Sequence, residues 1–417
     1  MLKANPNDDM EEPDVTLQDD EWGEIPFIRV GTTYYKVVPQ PQPDGTVAVK
    51  RLKWDKQTIT FDFGKKYARL IPRYNGFCTV PVHVGYSREI GGFYNIYEPI
   101  SHVPDEGTWK HIEMLVSHIF GEQYELGLDY LQLLYLRPRQ KLPILLLVSE
   151  QRNTGKTTFL NLLKSIFEDN ATFNTNEDFR SKFNSDWAGK LLVMVDEALL
   201  TRREDSERLK NLSTAKTYKA EAKGKDRDEI GFFAKFVMCS NNERTPVLID
   251  PGETRYWVRK IEPLKYDDTG FLGHLRTEIP AFLGYLTRRT MVSKEQSRMW
   301  FDTKVIETEA LKRIIRSNRN RLEIELIELL RDIMLSTEND SVSFCLNDIL
   351  NIMNYSNVKA EKSQIRNIVQ ECWHLHPAPN ALTYQRWELN VMQPGGYSST
   401  SRTGRFYTVT KSFLDTL

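Results

Sequence analysis

The chain has 417 residues, of which 40% are apolar and 27% charged, with a formal net charge of −1 at pH 7. That length is too great for one hydrophobic core and points to roughly two or three domains of an ordinary soluble globular protein, while the near-neutral balance excludes a global pull toward nucleic acid and leaves only local patches for it. The four cysteines, Cys78, Cys239, Cys345 and Cys372, lack a paired spacing and fit a reducing cytosol better than a disulfide framework, no apolar run approaches the ~20 residues of a membrane-spanning helix, and the acidic start is unlike a signal peptide.

Residues 1–24 are dominated by Asp and Glu, with Lys3 the sole base, and read as an acidic flexible tail. From 25 to 104 a β-rich domain is expected. Its segments Phe27 to Val30, Tyr34 to Val38, Thr46 to Val49 and Thr58 to Phe61 are short, β-branched or aromatic, with turn formers such as Pro43-Asp44-Gly45 between them. The period then changes. Trp109, Ile112, Leu115, Val116 and Ile119, followed by Leu126, Tyr130, Leu133 and Leu134, recur at helical spacing, so residues 105–140 are expected as a helical collar of two helices.

The most informative stretch runs from Leu142 to Leu163. Ile144 to Val148 is apolar at every position, as in a strand covered on both faces of a parallel sheet. It breaks at Ser149-Glu150-Gln151-Arg152-Asn153-Thr154-Gly155-Lys156-Thr157-Thr158, and a helical pattern of Phe159, Leu162, Leu163 and Ile166 follows. Strand, loop and helix in that order suit a P-loop, in which backbone N–H groups and a helix N-terminus face a phosphate. Asn153 to Thr158 are the expected phosphate binders, with Lys156 supplying an ammonium and Thr157 a hydroxyl for Mg²⁺. Glu150 stands where the pattern G-x-x-x-x-G-K-[ST] has its first glycine.

A second apolar run, Leu191 to Val195, ends in Asp196 and Glu197, which in a P-loop ATPase would serve metal and attacking water respectively. A third, Phe232 to Cys239, ends in Ser240-Asn241-Asn242; an amide at the tip of a strand between the two nucleotide strands can sense a γ-phosphate, and Asn241 is the preferred candidate over Asn242. Arg255, just ahead of the aromatic run Tyr256-Trp257, is the candidate arginine finger, with Arg259 read equally as a surface base. Between the second and third runs lie Arg208, Lys210, Lys216, Lys219, Lys223, Lys225 and Arg227, interleaved by Tyr218, with Lys223-Gly224-Lys225 suited to a hairpin tip that meets a nucleic-acid backbone.

In this order, Gly155-Lys156-Thr157, Val195-Asp196-Glu197, the Lys219 to Lys225 hairpin, Ser240-Asn241-Asn242 and Arg255-Tyr256-Trp257 resemble superfamily 3 helicases, above all the helicase parts of phage and poxvirus-type primase-helicases, over about Gly107 to Leu264. The resemblance implies an α/β fold with an AAA+-like P-loop core and parallel sheet at residues 141–290. It implies ATP and Mg²⁺ as cofactors, a homo-oligomer assembled as a hexameric ring, and Arg255 acting from the adjacent subunit. Lys219, Lys223 and Lys225 would bind DNA, and translocation on single-stranded or forked DNA would run 3′ to 5′. No primase motif precedes the core, so a separate primase or polymerase is the implied partner, and the bacterial host cytoplasm the implied location of a phage-encoded protein, with no membrane.

After a helix spanning Ile279 to Leu286, a helical linker is expected at 291–340, where Lys312, Arg313, Arg316, Arg319 and Arg321 read as a solvated face, and a winged-helix-like domain at 341–417. The latter comprises helices at Leu346 to Met353 and Lys362 to Cys372 and a strand at Gly404 to Val409 after a flexible Gly395 to Thr403, with Lys362, Arg366, Arg402 and Arg405 leaning it toward DNA. Two other functions stay open: an ATP-regulated origin-binding initiator without motor activity, and an initiator nuclease-helicase that uses His374 and His376 on a strand with Tyr384, Tyr397 or Tyr407 as nucleophile.

Overall fold

The computed structural model describes residues 25–41, 47–180, 187–220, 228–250, 252–264, 268, 270–318, 321–356, 358, 360–390 and 396–417. The residues read as an acidic tail, 1–24, lie outside that set. The chain divides into two compact units, Met1–Val80 with Tyr86–Tyr97, and Pro81–Gly85 with Glu98–Leu417.

The smaller unit holds β1 (Phe27–Val30), β2 (Thr33–Pro41), β3 (Val47–Trp54), α1 (Lys56–Leu70), β4 (Arg73–Tyr74), β5 (Phe77–Cys78), β6 (Glu89–Ile90) and β7 (Phe93–Asn95). Its main sheet has the order β3-β2-β1-β4. One expected strand is a helix instead: Thr58 to Phe61 lie in α1. The Asp55 side chain accepts from the N–H groups of Gln57 (3.1 Å) and Thr58 (3.3 Å) and caps the helix. Ile59 and Tyr67, on its inner side, bury against Phe27 and Tyr34. The β-branched residues at 58–60 favour a strand locally, and packing with a cap overrides that preference.

The larger unit begins with α2 (Lys110–Phe120) and α3 (Tyr124–Leu136), then β8 (Ile144–Val148), α4 (Lys156–Phe167), β9 (Ala171–Phe173), β10 (Leu192–Val195), α5 (Arg203–Thr214), β11 (Thr217–Ala220), β12 (Asp228–Gly231), β13 (Lys235–Ser240) and β14 (Tyr256–Lys260). Five strands form one sheet in the order β14-β8-β13-β10-β9, every pairing parallel. Both faces are covered, which is why the strands read as unbroken apolar runs. Ile144, Leu146, Val193, Val195, Phe236, Met238 and Val258 pack on one side with Leu209 and Leu212 of α5. On the other side Trp257 meets Phe120 of α2 (ring centroids 5.2 Å) and Tyr130 of α3 (5.9 Å), so the two helices expected as a collar lie directly on the sheet.

There follow α6 (Phe271–Arg288), α7 (Thr303–Ile306), α8 (Glu309–Ser317), α9 (Arg321–Thr337), β15 (Ser341–Phe344), α10 (Leu346–Tyr355), α11 (Lys362–Asn367), β16 (Leu382–Leu389), β17 (Tyr397–Gly404), β18 (Tyr407–Thr410) and α12 (Lys411–Thr416). Helices α9, α10 and α11 share a core with β15 and β18. The segment read as flexible, Gly395 to Thr403, is largely β17, which pairs with β16 from Leu382↔Gly404 to Leu389↔Tyr397. Ser and Thr dominate it because both its faces are nearly bare.

Gly284 of α6 lies against the backbone of Asp105, whose N–H donates to the Pro280 carbonyl (3.0 Å); a Cβ at Gly284 would overlap the Asp105 carbonyl oxygen. Gly284→Ala is therefore expected to lower stability by about 1–3 kcal/mol, read as a shift of the urea midpoint, and an unchanged midpoint would contradict this packing.

Candidate functional site

Strands β8 and β13 end level at Val148 and Ser240, β10 ends two residues earlier at Val195, and the loops leaving them enclose a cavity of about 460 Å³. Residues 152–158, Asp196, Glu197, Ser240 and Asn241 line it. Three segments far apart in sequence thus meet at the carboxyl ends of the strands, where open α/β sheets place ligands.

The loop from β8 into α4 turns through Asn153 (φ 54°) and Gly155 (φ 78°). At Gly155 a side chain is excluded twice, by the left-handed backbone and by Leu264 and Leu115, whose Cδ1 atoms stand 3.3 and 3.4 Å from where a Cβ would be. The Asn153 carbonyl accepts from Leu264 N–H (2.9 Å), and His118 Nε2 lies 3.2 Å from the Thr154 carbonyl oxygen. The loop is held from outside while the N–H groups of the first turn of α4, from Lys156 to Thr158, have no partner within the helix. The Lys156 ammonium donates to the neutral Thr154 hydroxyl (3.0 Å), and burial pushes its pKa down against the charges of Asp196 and Glu243. An array of N–H donors behind a half-desolvated cation fits a polyphosphate.

Thr157 Oγ1 donates to Asp196 Oδ2 (2.9 Å). A hydroxyl and a carboxylate oxygen side by side suit a hard divalent cation that keeps further oxygen ligands from substrate and water. Among the described residues no cluster of three or more His, Cys, Asp or Glu side chains forms a metal cage, as expected for such a shared site. Glu197 is exposed beside the cavity with its backbone at φ 60°. Asn241 lines the cavity, whereas the Asn242 side chain is used locally: its carbonyl oxygen accepts from Arg244 and Thr245 N–H (2.9 Å each) and its amide donates to Thr245 Oγ1 (3.0 Å). Strand β13, which carries both, lies between β8 and β10.

Asn176 and Glu243, which no motif in the sequence singles out, and Ser240, which the sequence shows only as part of Ser240-Asn241-Asn242, hold this arrangement. The Asn176 amide donates to the Glu197 carbonyl (3.2 Å) and its oxygen accepts from Leu199 N–H (3.0 Å), bracketing the turn after β10. Ser240 Oγ donates to the Ala198 carbonyl (2.8 Å) and accepts from Asn242 N–H (3.2 Å). Buried Glu243 accepts from Glu150 N–H (3.1 Å), the position that departs from the glycine pattern, and from Arg313 Nη1 of α8 (3.1 Å). These partners are 93 and 70 residues away in sequence, so no local spacing signals them.

Other predicted residues lie elsewhere. Arg255 precedes β14 at the amino ends of the strands, about 16 Å along the sheet from the cavity at strand rise, and its Nη1 donates to Glu253 Oε2 (2.7 Å). Arg259 is no surface base: it is buried, and its Nη1 pairs with Glu122 (2.6 Å) and Gln123 (2.9 Å). Lys210, counted in the basic run, is buried against Asp250 (2.7 Å) and Glu207 (2.9 Å). Lys219 sits on β11, paired with Glu229 of β12 in an antiparallel hairpin; Lys223, Lys225 and Arg227, between the two strands, lie outside the described residues.

His374 and His376 occupy an irregular segment before β16, His374 at φ 53°, and not the strand a metal-dependent nuclease reading required. The three tyrosines considered as nucleophiles are engaged: Tyr384 donates to Asp348, Tyr397 to Asp332 (2.8 Å), and Tyr407 accepts from Gln370 (2.6 Å). Burial, reinforced by those carboxylates, raises the Tyr384 and Tyr397 phenols far above their ordinary range, the wrong direction for a nucleophile.

Residues 147–256 match a family of unknown function (DUF5906). A DNA primase-polymerase of Nitratiruptor phage NrS-1 is 28% identical over 166 residues, which is 39% of this chain and 23% of that protein, so the likeness spans less than a quarter of the relative's length. Among solved structures, the apo C-terminal region of NrS-1 superposes with a TM-score of 0.57 at 20% identity, covering 84% of each chain, and a further apo form of that region gives 0.55 at 19% identity, covering 84% of this chain and 83% of the other. At such identities the likeness is one of fold. No described helix is long and apolar enough to cross a membrane.

Glu243→Ala would leave the Glu150 N–H and the Arg313 guanidinium without their acceptor, and is expected to cost about 1–3 kcal/mol of stability. Glu243→Gln keeps a carbonyl for the N–H and should cost less; equal losses measured by chemical denaturation would contradict the assigned hydrogen bond.

Proposed function

We propose that this chain is an ATP-dependent DNA helicase of the superfamily 3 type that serves replication of a phage or mobile element. The observation that carries the reading is the meeting of Lys156, Thr157, Asp196, Glu197 and Asn241 in one cavity at the ends of three strands, with the Thr157 to Asp196 hydrogen bond joining the first and second motifs. The named activity of the NrS-1 relative, a DNA primase-polymerase, supports a place in DNA replication.

In this reading Asn153 to Thr158 cradle the phosphates with backbone N–H groups and Lys156 balances the charge on the transferring phosphoryl oxygens. Thr157 and Asp196 would hold Mg²⁺, which would supply positive charge against the negative charge of the phosphates. Glu197 polarises the attacking water, and Asn241, at the tip of the strand between, orients it against the γ-phosphate. Arg255 stands at the far end of the sheet from its own cavity, so in this reading its guanidinium acts at the site of a neighbouring subunit. The reading takes the assembly as a closed hexameric ring of copies, in which Lys219, Lys223 and Lys225 bind single-stranded DNA. Translocation from 3′ to 5′, a separate primase or polymerase as partner, and a winged-helix-like role on DNA for residues 341–417, with exposed Lys362, Arg366 and Arg405, complete the proposal. Arg402 is the weaker contributor there, since it pairs with Asp348 (3.4 Å).

Lys156→Ala is expected to lower ATP turnover by roughly two to three orders of magnitude and to abolish strand displacement on 3′-tailed substrates, and unwinding at the wild-type rate by this variant would refute the assignment. Glu197→Gln should bind a fluorescent ATP analogue normally and yet fail to turn over. Lys223→Ala with Lys225→Ala should retain basal hydrolysis and lose its stimulation by DNA. Arg255→Ala should still bind nucleotide and lose hydrolysis, while mixing it with Lys156→Ala chains should restore part of the turnover, because each supplies what the other lacks at a shared site. No recovery on mixing would place Arg255 outside the reaction.

A further inference from the structure

The smaller unit has a charge unlike that of the whole chain. Among its described residues eleven are Lys or Arg and three are Asp or Glu, in a protein whose net charge is −1. One of the three acids, Asp55, is spent capping α1. The bases are also bare: Lys50, Lys53, Lys56, Lys65, Lys66 and Arg69 are exposed and, among the described residues, none has an ion-pair partner. A solvated face would balance such charges with acids at helical or cross-strand spacing. Here the one acid so placed, Asp62, three and four residues before Lys65 and Lys66, is cut off from helical register by the break at Gly64 and forms no ion pair with them.

Aromatic rings are interleaved with those charges. Phe61 on α1 is 91% exposed, far beyond what a folding core explains. Two residues on, Phe63 is partly exposed, stacked on Tyr67 (4.7 Å, interplanar 23°) and edge-on to Phe27 (5.7 Å). The Lys36 ammonium stands over the same Phe27 ring (5.6 Å) and over Trp54 (5.0 Å). Directly after Phe63 the helix breaks at Gly64 (φ 86°, ψ 165°), so Lys65 and Lys66 follow at a kink and not along one continuous helical face.

We propose that this unit binds single-stranded DNA independently of nucleotide, with Phe61 stacking on a base and Lys56, Lys65 and Lys66 holding the phosphates on either side. Stacking needs only the face of a base and ammonium groups need only the backbone, so binding is tolerant of sequence. Duplex DNA offers the phosphates but not a free base face, and the exposed ring therefore selects the single strand. The proposal adds to the motor reading a second contact that engages DNA before any ATP is bound.

The test is fluorescence anisotropy of a labelled oligothymidylate with the full-length protein, no nucleotide present. Phe61→Ala should weaken binding roughly five- to 150-fold. Lys65→Ala with Lys66→Ala should weaken it and flatten its salt dependence. Since these side chains are exposed, circular dichroism spectra should match the wild type. Wild-type affinity in both variants, or a loss equal for duplex and single strand in Phe61→Ala, would overturn the proposal. So would oligothymidylate binding unaffected by either change while phosphatidylserine vesicles bind the wild type and not the variants. DNA-stimulated ATP hydrolysis at saturating DNA reads the motor separately: Phe61-dependent binding without any turnover would sink the motor alone, and turnover with Phe61-independent binding would sink this inference alone.

Discussion

The hydrogen bond from Thr157 to Asp196 (2.9 Å) ties together elements that the sheet keeps one strand apart. Thr157 belongs to the helix that follows β8 and Asp196 to the end of β10, with β13 between them. The bond therefore joins the two elements that flank β13, and Asn241, which follows β13, lines the same cavity. The registers set the reach of that bond: β8 and β13 end level at Ser240↔Val148, while β10 ends two residues earlier at Val195↔Met238, so Asp196 leaves the sheet just below the loop that carries Thr157. Parallel pairing leaves the carboxyl ends of neighbouring strands side by side, and each chain segment must leave the sheet there by a loop.

The polar scaffold under the cavity is a second requirement. Ser240, Asn242 and Asn176 each use more than one hydrogen bond to fix backbone, Glu243 holds one backbone N–H and the Arg313 guanidinium, and of these four only Ser240 also lines the cavity. Glu243 joins the loop at Glu150 to Arg313 of α8. A buried carboxylate is costly without partners, and here two donors from opposite directions satisfy it. Position 150 needs no glycine because Glu150 is not among the described residues with a positive φ.

Misreadings of the sequence share a cause. Arg259 looked like a surface base and is buried against Glu122; Lys210 looked like part of a nucleic-acid-binding run and is buried among Glu207, Asp250 and Glu253. Arg313, read as solvated, is exposed, and its guanidinium also reaches Glu243. In each case the sign of a charge was visible and its partner was not. Thr58 to Phe61 carried strand formers and became helix, and the Ser/Thr-rich 397–404 looked loose and became a strand, because cross-strand pairing and capping outweigh intrinsic preference.

Sequence by itself determined the strand at Ile144 to Val148, the loop through Gly155, the helix after it and the acids at the end of β10, because each depends on neighbours along the chain: an unbroken apolar run, a left-handed turn, a helical period. Tertiary structure alone decided which of those segments meet, that Asn241 faces the cavity while Asn242 ties its own turn, and that Arg255 stands at the opposite end of the sheet from Lys156. These outcomes follow from strand order and register, which are set by how both faces of a sheet are buried and not by the composition of any one strand.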